Sequence, residues 1–148
     1  MKNLSVIIFI SLIIHVPLKA ISCECMKPDI KRSWKNSSTL FLGEVTSASE
    51  VSIASNSDYS LIQYQIKISR TYKGLPADKK EITVYTSPTV SACGIQLNPN
   101  QMYLIDTFDF FLRDGKLLMT SRCSSTRPVN KKLAKDVEWL NNQAPELN

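Results

Sequence analysis

The four cysteines are the residues of this sequence whose type and spacing could do chemistry: Cys23, Cys25, Cys93 and Cys123. They follow a segment typical of a secretory signal, and in an oxidising compartment an even number of cysteines indicates disulfides. Four cysteines allow three pairings, and a bond between Cys23 and Cys25 would close a small strained ring. We therefore expect each N-terminal cysteine to bond to a distant one, in either of two arrangements.

Either arrangement would close loops of about 70 to 100 residues, for which the chain-entropy model gives roughly 4 kcal/mol of stabilisation each. A tetrathiolate zinc site is the competing interpretation. Zinc ribbons use paired Cys-x-x-Cys motifs, whereas here a Cys-x-Cys pair precedes two widely separated single cysteines. The spacing therefore favours disulfides, and no metal of the protein's own is expected.

Residues 1–22 are predicted to be the secretory signal. A lysine near the start precedes an apolar run over 4–16, and Ala20 and Ser22 place small residues before a cleavage point. The run has about 13 residues, short of the roughly 20 that a membrane-spanning helix needs, so no transmembrane segment is expected. We predict cleavage after Ser22, a secreted product, and a single domain over 23–148.

Removing residues 1–22 takes two lysines and the sole histidine, His15, from the 148-residue chain. The remaining 126 residues carry 16 basic and 13 acidic side chains, a mild net charge of +3. Without histidine there is no Ser-His-Asp triad, no Cys-His dyad and no histidine-ligated metal, so an enzyme is not expected. The charge predicts no nucleic-acid binding, and the small basic groups suit, if anything, an acidic polysaccharide.

The predicted elements would hold the cysteines on a small β-structure. Period-2 alternation predicts a long strand over 62–72, broken at Arg70, and Gly43 is a candidate bulge in a strand over 39–45. Serine-rich residues 47–58 are interpreted as a long hairpin or a loop. Further strands are predicted over 81–86, 102–112 and 116–122, the last two joined by a turn at Asp114-Gly115.

Two short helices flank these strands in the prediction. The first covers 30–35 with Asp29 as its N-cap, and the second starts at Asn130 with Leu133, Val137 and Leu140 on one face. Five strands with turn signals between them indicate a small barrel or sandwich. The aromatic side chains of the strands are expected in its core, and these are Tyr64, Tyr72, Tyr103 and Phe108.

Several short motifs in this order resemble one known family. They are Cys23-x-Cys25 after the signal, Tyr64-x-Ile66-Lys67, Tyr72-Lys73-Gly74, Val84-Tyr85-Thr86-x-Pro88, Cys93-Gly94, Tyr103-Leu104-Ile105, Asp114-Gly115-Lys116 and Cys123. Together they resemble the inhibitory N-terminal domain of the tissue inhibitors of metalloproteinases. The resemblance implies a mainly β fold, the five-stranded OB-like barrel of netrin-like modules with small flanking helices. It also implies two disulfides, Cys23–Cys93 and Cys25–Cys123.

The resemblance further implies a function for the mature N-terminus. The amine and carbonyl oxygen of Cys23 would chelate the zinc of a metalloprotease, with no cofactor of the inhibitor's own. Glu24 would enter the main specificity pocket, and the other protease-contacting residues would be Cys25, Met26, Ser91, Ala92 and Cys93. The chain departs from the family at Glu24, where vertebrate inhibitors carry a small hydroxyl residue, and in lacking the family's third disulfide and cysteine-rich C-terminal domain.

Two alternatives to the inhibitor stay open at this stage. Netrin-like modules with residues before the first cysteine need not inhibit anything, so a non-inhibitory binding module of the cell surface or matrix is the second hypothesis. A bacterial lipoprotein acylated at Cys23, periplasmic or in the outer membrane, is the third hypothesis.

Asn36-Ser37-Ser38 matches an N-glycosylation acceptor that matters only in a eukaryotic host. We expect the mature chain to be a monomer.

Overall fold

The computed structural model describes residues 23–26, 29–53, 60–113 and 115–144. The predicted signal peptide lies outside the described residues. None of the helices among these residues is both long enough and apolar enough to cross a membrane. In chain order the elements are α1 Ile30–Asn36, β1 Thr39–Ser52, β2 Ser60–Lys73, β3 Glu81–Thr86, β4 Met102–Leu112, β5 Gly115–Met119, β6 Arg127–Pro128, a 3-10 turn Lys131–Leu133 and α2 Ala134–Gln143.

Five of these strands close into a ring, which confirms the predicted barrel. Their order is β1-β2-β3-β5-β4, and β4 pairs again with β1. All pairs in the ring are antiparallel except β3–β5, which meet at Tyr85 and Met119. The two-residue β6 adds a sixth strand at the edge of β4. Ring closure leaves few free strand edges, so a small mainly β domain gains stability without exposing unpaired backbone.

Of residues 47–58, which the sequence left as hairpin or loop, residues 47–52 are part of a long hairpin. β1 and β2 stay paired as far as Ser52 and Ser60, and residues 54–59 lie outside the described part. The register does shift at the predicted place, between Leu42 and Gly43, but the extra residue is Ser69 of β2, whereas the extra residue of β1 itself is Thr46. A Cβ on Gly43 would come within 2.5 Å of the Ile66 side chain, so the close approach of the two strands requires glycine here.

The break in alternation at Arg70 coincides with a change of face along β2. Arg70 lies between two register shifts in the β1–β2 pairing. Each extra residue in a bulge reverses the alternation of inward and outward side chains. Tyr64 and Ile66 accordingly point into the barrel, whereas Tyr72 packs on its outer side, under the helices.

The protein therefore has two apolar clusters, one inside the barrel and one between the barrel and its helices. The interior cluster consists of buried side chains from β1, β2, β3 and β4, together with Leu97. The outer cluster joins Leu40, Leu104 and Tyr72 to residues of α1 and α2. Trp34 and Trp139 meet edge to face over this cluster with ring centroids 6.2 Å apart, which ties the two helices together.

Both helix starts are those predicted from the sequence. Asp29 accepts a hydrogen bond from the Lys31 amide at 3.1 Å, and Asn130 caps the C-terminal helical segment through the Lys132 amide at 2.9 Å. The first turn of that segment is 3-10 and continues directly into α2. An ion pair between Arg127 and Asp136 fixes α2 against β6.

Two predictions near the end of the sheet were wrong. The strand predicted over 116–122 ends at Met119, because the chain then enters a turn in which the Ser124 amide donates to the Ser121 carbonyl at 3.1 Å. Gly115 already pairs with Leu112, so the hairpin turn comes before it. Phe108 is not a core residue: it is 40 % exposed, because the part of β4 covered by the helices ends at Thr107.

Candidate functional site

The N-terminal segment, residues 23–26, lies against two distant loops. Cys23 is at disulfide distance from Cys93, with Cα atoms 5.2 Å apart, and Cys25 from Cys123, with Cα atoms 5.0 Å apart. These are the two pairs that the resemblance implies. Because the first and third residues of the predicted mature chain are both anchored, this terminus lacks the freedom that chain ends usually keep.

The four sulfur atoms lie together at one point of the surface. The Cys23 sulfur is 3.4 Å from that of Cys123 and 3.8 Å from that of Cys25. This proximity alone is compatible with a thiolate metal site, but thiolates are the ligating form, and a sulfur held in a disulfide has no thiolate to offer. The pairing therefore makes the cluster a junction between three chain segments.

The loop that carries Cys93 holds its own shape. The Cys93 amide donates to the Val90 carbonyl at 3.1 Å, and the Gly94 amide donates to the Thr89 carbonyl at 2.9 Å. Cys93 has a positive φ of 62°, and a side chain on Gly94 would collide with the carbonyl oxygen of Ser87. The Cys93 carbonyl in turn accepts from the Arg122 amide, which joins this loop to the loop of Cys123.

These contacts bring the predicted protease-contacting residues onto one exposed surface. We call residues 23–26 together with 90–93 the N-terminal ridge. Glu24, Ser91 and Ala92 are exposed, and Met26 and Val90 present large apolar side chains that are 73 % and 61 % exposed. Both side chains would lose apolar exposure under a partner bound at the ridge.

Beneath the ridge, the buried carboxylate of Asp106 holds its supporting segments in place. Its Oδ2 accepts from the Ser33 hydroxyl at 2.6 Å and from the Ser125 amide at 2.9 Å, and its Oδ1 accepts from the Ser37 hydroxyl at 2.5 Å. Ser33 and Ser37 belong to α1 and its C-cap, while Ser125 follows Cys123 by two residues. One side chain of β4 thus fixes both the helix and the loop that anchors Cys25.

Glu24 borders a shallow cavity of about 290 Å³ on the helix side of the ridge. Arg32 also lines this cavity and donates to the Met26 sulfur at 3.5 Å, and Asp29 and Cys123 are among its other lining residues. The Glu24 carboxylate is solvated in the free protein. It would lose that solvation on entering an apolar pocket of a partner, which is costly unless the pocket pairs the charge.

Sequence reasoning did not identify Asp106 or Arg32. Asp106 carried a signal, since it directly follows the apolar run of Tyr103–Ile105 on the same predicted strand, and a buried carboxylate needs several partners. Arg32 carried none, because a basic residue on a short helix reads as solvated surface. Asn36 is exposed at the end of α1, and its glycosylation stays a prediction.

Comparison with known proteins agrees with this arrangement. No curated protein sequence matches the chain. The family model described as tissue inhibitor of metalloproteinase matches residues 20–138, which is most of the chain and includes all four cysteines, the barrel and the first half of α2. This is a family of protease inhibitors, not of enzymes, and its partners are metalloproteases. With its closed barrel, its flanking helices and its two cysteine pairs at the N-terminal ridge, the chain belongs to the tissue inhibitor of metalloproteinase family.

Proposed function

We propose that the mature chain is a secreted, stoichiometric inhibitor of zinc metalloendopeptidases of the metzincin type. It would begin at Cys23, whose α-amine nitrogen and carbonyl oxygen bind the protease's zinc. The observation that carries the proposal is the anchoring of both Cys23 and Cys25 beside the exposed loop of Ser91 and Ala92.

The chemistry of the proposal needs little from the inhibitor. A catalytic zinc keeps one coordination position open, normally filled by water, and a neutral amine is a good ligand for it. A free α-amine has a pKa of about 7.7 to 8.0, so losing its proton at neutral pH costs little. An amide nitrogen at the same place would not coordinate, so the amine must be the true chain terminus.

Anchoring of residues 23–26 raises the expected affinity, because less entropy is lost on binding than with a flexible terminus. Ordering a flexible chain end on binding costs conformational entropy, and two disulfide anchors together with the Asp106 network remove most of that cost in advance. The exposed side chains of Met26 and Val90 would then bury apolar area against the substrate cleft on either side of the zinc.

The test is a comparison of two chains that differ by one residue. Protein secreted from a eukaryotic host is sequenced at its N-terminus, and we expect Cys23 first. This protein should inhibit metzincin catalytic domains at a one-to-one ratio, and a variant with one alanine before Cys23 should lose inhibition by at least about 100-fold, the scale of a lost hot spot.

The control is the same alanine placed at the other end of the chain, after Asn148, which leaves the ridge untouched and should inhibit like the wild type. Equal inhibition by the N-terminally extended chain would refute chelation by the terminus. A secreted chain that keeps Ser22 and inhibits nothing would favour the non-inhibitory binding module, and acylation of Cys23 would favour the lipoprotein.

A further inference from the structure

The outer face of the β4–β5 hairpin carries two exposed phenylalanines that neither cluster uses. Phe108 and Phe110 are 40 % and 43 % exposed. They lie two residues apart on β4, so they project from the same side of the strand as Leu104 and Asp106, the side that carries α1. We call Phe108 and Phe110 the aromatic extension.

This pair continues the N-terminal ridge. The cavity beside Glu24 is lined in part by Arg32, Ser33 and Cys123, and the same three residues line a second cavity of about 290 Å³ that Phe108 also borders. The two cavities are therefore contiguous, and together they connect Glu24 to Phe108, the residue of the aromatic extension nearest the ridge.

We propose that the aromatic extension is a second contact surface for the metalloprotease catalytic domain, beyond the substrate cleft that the ridge would occupy. The inference rests on the proposed function for its choice of partner. A protease seated on Cys23 and Glu24 lies over the shared wall at Cys123, so its rim is the nearest surface able to cover Phe108. Partly exposed phenylalanines contribute strongly to protein interfaces because they bury a large rigid area at little entropic cost.

The hairpin carries two basic side chains, of which Arg113, beside the turn, is exposed and makes no ion pair with a described residue. The ammonium group of Lys116 is neutralised by Asp109, with its nitrogen 2.9 Å from the carboxylate oxygen. Anionic lipid surfaces are normally bound by clusters of several basic side chains, so a single unpaired arginine beside the turn favours a protein partner. The Lys116–Asp109 pair also lies on the other face of the hairpin, away from the aromatic extension, because Asp109 and Lys116 alternate with Phe108 and Leu117.

Phe111 offers a matched control on the same strand. It is 75 % exposed, more than either residue of the aromatic extension, but it occupies the opposite face, where it pairs with Lys116. If exposed phenylalanines assisted binding through non-specific hydrophobic association, removing Phe111 would weaken binding at least as much as removing Phe108 or Phe110.

The experiment compares Phe108→Ala/Phe110→Ala and Phe111→Ala with the wild type against every metzincin catalytic domain that the wild type binds. All proteins are produced without glycans, because Asn36 borders the second cavity. We expect the double variant to bind about 10- to 100-fold more weakly and Phe111→Ala to stay within about twofold. Thermal unfolding checks the fold, and Phe110→Ala alone serves if the double variant does not fold. Hydrogen exchange on the wild-type complex should show protection at 108–110.

Equal affinity of the double variant and the wild type, without protection at 108–110, would overturn the inference. The inference would also be overturned if the double variant lost binding only to phosphatidylserine vesicles. It would be overturned as well if the double variant were a monomer where the wild type is a dimer, with inhibition unchanged. The alanine-extended chain separates this inference from the proposed function. If that chain inhibits normally while the double variant is weakened, chelation fails and the aromatic extension stands. A wild type that binds no metzincin overturns both.

Discussion

Asp106 shows how one buried side chain supports a distant functional surface. Its carboxylate accepts three hydrogen bonds, from α1, from the α1 C-cap and from the loop after Cys123. All three partners donate a hydrogen bond to Asp106. An ionised carboxylate, which can only accept hydrogen bonds, therefore fits this site. The geometry of the ridge therefore depends on a residue that touches no partner.

We predict that Asp106→Asn lowers the free energy of unfolding by about 2 to 4 kcal/mol, because the amide NH2 would face donors and leave buried groups unpaired. Denaturant unfolding measures the loss, and inhibition should weaken as the loop of Cys123 loosens. Asp78→Asn is the control, since Asp78 is exposed in the turn after β2. Equal stability of the two variants would show that the Asp106 network contributes nothing.

Glu24 is the residue on which target choice should depend. Its carboxylate is exposed in the free protein and would be desolvated in a specificity pocket. We predict that Glu24→Thr strengthens inhibition of proteases with apolar pockets by about 10-fold or more, and weakens inhibition of any protease whose pocket holds a basic group. Inhibition constants across a metzincin panel measure this. Glu50→Thr, on the exposed part of β1, should change nothing, and an unchanged profile for Glu24→Thr would remove Glu24 from the specificity argument.

At the scale of elements, the β4–β5 hairpin carries the aromatic extension on one face and the Lys116–Asp109 ion pair on the other. The hydrogen bond from Lys116 lowers the pKa of the Asp109 carboxyl below its ordinary value of 3.8. A carboxyl whose pKa is depressed in the folded state stabilises that state above its unfolded-state pKa. This contribution is lost as the pH falls through the folded-state value.

We predict that Lys116→Met raises the pKa of Asp109 back towards its ordinary value, and removes a small part of the acid dependence of stability below about pH 4. Carboxyl titration by NMR measures the pKa directly. Lys131→Met, in the 3-10 turn far along the chain, is the control and should leave Asp109 unchanged. A titration curve of Asp109 that is the same in both variants would contradict the ion pair in solution.

For the whole molecule, the two cysteine pairs have similar weights in stability but different roles in function. They close loops of 70 and 98 residues, for which the chain-entropy model gives about 4 kcal/mol each. Only the Cys23–Cys93 pair anchors the residue that would bind zinc.

We therefore predict that Cys23→Ser/Cys93→Ser and Cys25→Ser/Cys123→Ser each lower the free energy of unfolding by about 2 to 5 kcal/mol. Inhibition should be nearly abolished in the first variant and only partly reduced in the second, at a temperature where both are folded. Denaturant unfolding and inhibition assays on the same samples test the separation. Equal loss of inhibition would mean that the pairs act on function only through stability.

Much of this architecture was predictable from local patterns. The alternation in β2 and the caps Asp29 and Asn130 depend on neighbouring residues, and these predictions were confirmed. The irregularity predicted at Gly43 is present, but its extra residue lies on β2, opposite the glycine. The order of short motifs indicated the family, which the family match confirmed. Local patterns failed at the end of the sheet. There β5 ends early because the chain turns over 121–124, and Phe108 is exposed because the covered part of β4 ends at Thr107.

By itself, the sequence determined the class of the protein: a cysteine-anchored, mainly β domain of this inhibitor family, without a histidine after residue 22. Only the tertiary structure decided what surrounds the N-terminal ridge. Burial of Asp106 under α1, the shared wall at Arg32 and Cys123, and the aromatic extension join residues up to about 100 positions apart. Such neighbours are set by ring closure and packing, which no local pattern of residues encodes.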